Sequence, residues 1–147
     1  MSELSRIGVA VDSDLLLRFD RFIANQGYES RSEAFRDLMR DRLAAAEIAA
    51  PQATVIGTIT LVYDHHIRLL PEKLMSLQHD HHHVIVSTTH VHVDHDTCLE
   101  VVAVKGKAAE VKNLADLLIS TKGVRQGHLV MTTPHLKLQT EISRTRP

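Results

Sequence analysis

Val84-Ile85-Val86-Ser87-Thr88-Thr89-His90-Val91-His92-Val93-Asp94-His95-Asp96-Thr97-Cys98-Leu99-Glu100-Val101-Val102-Ala103-Val104 consists of two runs rich in β-branched residues, joined by a polar trio. The runs contain neither Gly nor Pro, and Asp94-His95-Asp96 has turn chemistry. The spacing predicts a β-hairpin with a three-residue loop. Val93 then faces Thr97, and His92 faces Cys98. Polar and apolar residues alternate from His90 to Val93, and strand period two puts His90 and His92 on one face. Directly opposed residues share a face, so Cys98 joins them. A slip of one residue would separate the thiol from the imidazoles.

Seven of the eleven histidines and the single cysteine lie between His79 and Cys98. Imidazole and thiolate bind late first-row transition metals well. Taken singly, a strand Cys reads as a small buried hydrophobe and a sheet-face His as a hydrogen-bonded surface residue. Together, in the order His, one residue, His, five residues, Cys, they predict a metal site. Two imidazoles and one thiolate need a fourth ligand, and His79, from the same chain or a second one, is placed to supply it. The run His81-His82-His83 reads as a solvated helix end, a route for metal ingress or a second weak site.

The hairpin sits inside a larger pattern. Ala53–Tyr63 reads as a strand, and Leu70–Gln78 as a helix with Pro71 in its first turn. Ala108–Ser120 reads as a second helix with Val111, Leu114, Ala115 and Leu118 inward. Gly123 follows it, and Val124–Thr133 is a last strand. The order β-α-β-β-α-β is the ferredoxin-like split motif. Two helices cover one sheet face, and the other face is left for a neighbouring subunit.

Upstream, Ala44 to Gln52 ends a helical stretch in small residues and Pro51, which marks a linker. Ahead of it, Ile7, Val9 and Val11 alternate with Arg6, Gly8 and Ala10 as a short strand. Asp12 or Ser13 caps a helix whose apolar stripe is Leu15, Leu16, Phe19, Phe22 and Ile23, with Gly27 past its end. Ser30 and Glu33 form a capping box for a second helix with Ala34, Phe35, Leu38, Met39 and Leu43 on one face. A lone strand and two helices cannot easily bury a core, and the strand has two open edges. Pairing with the same strand of a second chain answers both, as an intertwined ribbon-helix-helix dimer. Such a ribbon fits the DNA major groove with Arg6, Gly8 and Ala10 outward. Backbone amides near Ser30 and Ser32 suit phosphates. Residues 1–48 carry seven Arg and Lys against nine Asp and Glu. Pattern and charge therefore leave DNA binding and simple dimerisation equally open.

The chain has 147 residues, a net charge of −1 and one cysteine. A single cysteine excludes an intramolecular disulfide framework, and a free thiolate suits a reducing, cytoplasmic setting. No apolar run is long enough to span a membrane, and the N-terminus lacks signal-peptide features. No acid–base pair, nucleophile motif or phosphate loop stands out, which argues against an enzyme.

The ribbon-helix-helix start, the second domain of this order and the string Gln78-His79, His90-Val91-His92 and His95-Asp96-Thr97-Cys98-Leu99-Glu100 together resemble NikR, the nickel-responsive repressor family. So do Gly27-Tyr28, Arg31-Ser32-Glu33-Ala34, Lys105-Gly106 and the run from Gly123 to Leu129. The likeness extends to about Pro134. It implies an α+β protein: residues 1–48 a dimeric ribbon-helix-helix DNA-binding domain, 49–52 a linker, 53–134 an ACT-like metal-binding and tetramerisation domain, and 135–147 a tail. It implies a homotetramer with one Ni(II) per subunit, held square-planar by His90, His92 and Cys98 of one chain and His79 of a neighbour. It implies contacts of Arg6, Gly8 and Ala10 with double-stranded operator DNA, and a weaker cation site at Glu33 and Asp37. The family often has hydroxyl residues where this chain has Gly8 and Ala10, so its operator or its base discrimination differs. The competing reading is a protein that buffers or delivers a transition metal and uses its N-terminal module only to dimerise.

Overall fold

The computed structural model describes residues 3–134, so the tail expected over 135–147 lies outside the described residues. The chain packs as two units divided between Asp41 and Arg42.

In the first unit, residues 3–12 are exposed and carry no ladder hydrogen bonds. The strand expected from Ile7 to Val11 is therefore not formed by one chain alone. Its physical requirement, a partner strand, has no source among the described residues. Helix α1 (Ser13–Asn25) starts at Asp12, whose carboxylate accepts from the amides of Asp14 and Leu15 at 3.0 and 3.1 Å. Gly27 follows with φ +83°, the left-handed conformation that ends a helix most cheaply with glycine. Helix α2 (Arg31–Ile48) begins with the Glu33 amide donating to Ser30 Oγ at 3.2 Å. Arg31 grips Asp20 through two hydrogen bonds of 2.7 Å, tying α2 to α1 and holding the Asp20 carboxyl below its ordinary value. The rings of Phe19 and Phe35 meet at 5.2 Å. Burial is sparse. Ile7 is 73% exposed, Val9 65% and Phe22 56%, so this unit leaves most of its apolar surface uncovered.

The second unit contains β1 (Thr54–Asp64), α3 (Leu70–Asp80), a short 3₁₀ turn (His82–Val84), β2 (Ile85–His92), β3 (Thr97–Lys107), α4 (Ala108–Ile119) and β4 (Val124–Thr132). The fold class is α+β, with a βαββαβ order and one antiparallel sheet ordered β2-β3-β1-β4. Period-two alternation sends Val55, Ile59, Leu61 and Tyr63 of β1 and Cys98, Glu100, Val102 and Val104 of β3 to the same buried face. Leu70 and Leu74 of α3 pack on it, as do Val111, Leu114, Ala115 and Leu118 of α4. The opposite face presents Ile56, Val62, Leu99 and Val101 half-buried, with Val91 42% and Val130 65% exposed.

Helix α4 lies close against β4 because Gly127 has no side chain. A Cβ there would come within 2.5 Å of Ile119 Cγ1 and 3.1 Å of Ile119 Cβ. Gly127→Val is expected to lower stability by about 1–3 kcal/mol, the usual cost of overpacking, read as an earlier midpoint in urea denaturation.

Candidate metal centre

The hairpin register is the one the sequence predicts: His92 opposite Cys98 and His90 opposite Glu100. The Val93 amide donates to the Thr97 carbonyl at 3.0 Å and closes the loop. Asp94 sets the turn, its Oδ1 accepting from the amides of Asp96 and Thr97 at 2.9 and 2.8 Å. Those two amides, that of Asp96 foremost, hold the Asp94 carboxyl below its ordinary range.

His79, His90, His92 and Cys98 line one cavity of about 520 Å³ on the helix-covered side of the sheet. Its floor is chemically distinct from its rim. Cys98 is buried, whereas His79, His90 and His92 are exposed. Cys98 Sγ lies 3.9 Å from His90 Nδ1. Bonds of about 2.3 Å to sulfur and about 2.1 Å to nitrogen allow one ion to reach both atoms. The donor set therefore fits a soft or borderline divalent ion.

Behind the thiol sits a polar network that sequence reading missed. Glu100, 1% exposed, accepts from Tyr63 Oη at 2.6 Å and from the Gln78 side-chain amide. Thr88 Oγ1 donates to Gln78 Oε1 at 2.9 Å. Glu100 Oε1 also stands 3.8 Å from His90 Nε2, while His90 Nδ1 faces Cys98. A carboxylate beside the ring nitrogen remote from a ligand position favours the tautomer that leaves the ligating nitrogen free. Burial first, and then the bond to Glu100, push the Tyr63 phenol far above its usual value, so it remains a donor. The signal was present in the sequence: Glu100 is the one acidic residue in an inward series that otherwise reads Cys98, Val102, Val104.

The four expected ligands share a cavity but do not converge within one chain. Among the described residues, only His66, His95 and Asp96 bring three donor atoms mutually within 4.8 Å. The run His81–His83 serves largely as a helix end. His81 Nδ1 bonds to the Leu77 carbonyl at 2.8 Å and His82 Nδ1 to that of His79 at 3.1 Å. Far from this cavity in sequence, Arg6, Gly8 and Ala10 lie exposed, and nothing approaches within 4 Å of a Cβ placed on Gly8. Ser30 caps α2, and Ser32 is exposed in its first turn. Asp37 accepts from Tyr28 Oη and from Arg40 at 2.9 Å each, and Glu33 is half-buried on the same helix.

Residues 56–132 match the family model described as NikR C terminal nickel binding domain. The chain belongs to the NikR family. Relatives that carry the name nickel-responsive regulator include one from Solibacter usitatus, 62% identical over 133 residues, covering 90% of this chain and 96% of the relative. Others come from Geobacter metallireducens, 52% identical, and Trichlorobacter lovleyi, 47% identical, each with the same coverage. The NikR match thus takes in both units of the chain, and the family model takes in the sheet, both of its covering helices and all four expected ligands.

Asp94→Ala is expected to be less stable than the parent at pH 7. The carboxyl is held below its unfolded value, so its contribution is present above that value and fades as pH falls through the folded one. The gap between the two proteins in urea denaturation should therefore narrow below about pH 3.9.

Proposed function

We propose that this chain is a nickel-responsive transcriptional regulator, a repressor of nickel uptake whose operator binding is promoted by Ni(II). The observation that carries the reading is the pairing of His92 with Cys98, with His90 Nδ1 3.9 Å from the thiol, inside a region that matches a nickel-binding domain family. The names of the relatives support regulation rather than catalysis.

In this reading His90, His92 and Cys98 of one chain and His79 of a neighbouring chain hold one Ni(II) per subunit in a square plane. Three imidazole nitrogens and one thiolate in that geometry favour Ni(II) or Cu(II) over tetrahedral Zn(II). Exposure of His79, His90 and His92 at the rim suits a site completed at an interface. The uncovered sheet face with Val91 and Val130, and the uncovered apolar residues Ile7, Val9 and Phe22, suit a homotetramer built from two kinds of contact. Residues 1–48 would pair as the ribbon-helix-helix module, 49–52 as linker and 53–134 as the metal-binding and tetramerisation domain. Arg6, Gly8 and Ala10 would face double-stranded operator DNA, and Ser30 and Ser32 its phosphates. Glu33 and Asp37 would form the weaker cation site once Tyr28 and Arg40 yield Asp37. A cytoplasmic location keeps the Cys98 thiol reduced.

A ligand that crosses between chains couples metal occupancy to quaternary arrangement, and so to the placement of the DNA-reading ribbons. Metal and operator then raise each other's affinity by the same factor, typically about 5–150-fold. In a gel-shift titration with promoter fragments from nickel-transport genes, nickel should raise operator affinity by a factor in that range. Cys98→Ala should remove both the nickel effect and the thiolate-to-nickel absorption band. Operator binding that ignores nickel would overturn the switch. No binding to any such fragment would instead fit a metal-buffering protein.

A further inference from the structure

We infer that His66, His95 and Asp96 form a second binding site for a divalent transition-metal ion, at the tip of the β2–β3 hairpin and apart from the Cys98 cavity. The three residues bring their donor atoms within 4.8 Å of one another. Asp96 Oδ1 lies 2.8 Å from His95 Nδ1 and 3.5 Å from His66 Nε2. His66 Nε2 is also 3.0 Å from the His95 carbonyl oxygen, which faces the same point. Two imidazoles and a carboxylate are the borderline donor set that nickel, copper and zinc share, with room for water to complete the coordination sphere.

The cluster is not a run of neighbours in sequence. The loop after β1 and the loop between β2 and β3 meet to make it, and the backbone pins both. His66 N donates to Asp64 Oδ1 at 2.8 Å, and His65 N donates to the Asp96 carbonyl at 3.3 Å. Asp94 fixes the other side through the Asp96 and Thr97 amides. His65 Nδ1 is the one buried side-chain nitrogen or oxygen without a hydrogen-bond partner among the described residues. Its ring centroid lies 4.2 Å from that of His66. It also lies 5.6 Å from that of His92, and His65 lines the Cys98 cavity, so this ring stands between that cavity and His66 and is assigned to neither site.

An ion at this site replaces the hydrogen that His66 Nε2 shares with the His95 carbonyl, and His66 then carries its proton on Nδ1. The ion likewise replaces the hydrogen that His95 Nδ1 donates to Asp96 Oδ1, and His95 then carries its proton on Nε2. The side chains of His66, Asp96 and His95 are 52%, 63% and 86% exposed, so the site exchanges ions with solvent readily and binds more weakly than one with a buried thiolate.

The test uses the full chain and nickel chloride alone, with bound metal measured by equilibrium dialysis and the thiolate absorption band followed in parallel. Two ions per chain are expected, with the band saturating at the first equivalent and unchanged by the second. His66→Ala and His95→Ala should each bring the count to one and leave the band intact. Asp96→Asn should weaken the second ion at least about tenfold, the loss of one good ligand interaction. Cys98→Ala should lose the band and keep the binding that depends on His66. A parent protein that shows the band and binds that one ion only, or a His66→Ala/His95→Ala double variant that still binds two with unchanged affinity, would overturn the proposal. A chain that never shows the band yet binds one ion through His66 would overturn the proposed function and leave this site standing.

Discussion

The register of one hairpin governs the second unit and its candidate metal centre. Side chains on a strand alternate faces, so the pairing of His92 with Cys98 decides whether thiol and imidazoles share a side. Asp94 holds that register by binding two loop amides at once, and the Val93–Thr97 hydrogen bond closes it. The same register sends Glu100, Val102 and Val104 inward to meet α3 and α4. Slipping the pairing by one residue would expose the core of β3 and scatter the donors together. Core packing and candidate site therefore enforce one another.

The cavity around Cys98 divides its labour by burial. A buried thiol is protected from solvent, while the exposed imidazoles at the rim remain reachable. Between them, Glu100 is neutralised in its demands by Tyr63 and Gln78 and faces the outer nitrogen of His90. A buried carboxylate left without such partners is costly, so this arrangement needs all of its members. In the proposed function, that network orients His90 toward the ion, and the missing donor comes from the next chain.

Most of this unit was legible in its sequence because its signals are local. Alternation gives the strands, Pro71 and Gly123 bound the helices, and Asp94-His95-Asp96 gives the turn that fixes the hairpin. Tertiary pairings were harder. Tyr63, Gln78 and Glu100 come from three elements, and only the odd acidic residue among inward positions hinted at them. His66 carried no readable role and His95 was read only as part of the turn, since the two residues that the loops unite are 29 positions apart. At the N-terminus the alternation of Ile7, Val9 and Val11 was visible, but the described chain forms no strand there. A sequence can show that a strand wants a partner without containing the partner.

In the proposed function the metal site is shared between chains, with His79 contributed by one and His90, His92 and Cys98 by another. Co-assembly of two disabled chains, His79→Ala and Cys98→Ala, tests it most directly. Each variant alone should lack the thiolate-to-nickel absorption band. Mixed assemblies should regain it in part, because a Cys98→Ala chain can lend His79 to the intact trio of its neighbour. A His79→Ala protein that shows the full band by itself, or folded mixed assemblies that never regain it, would contradict a site shared between chains.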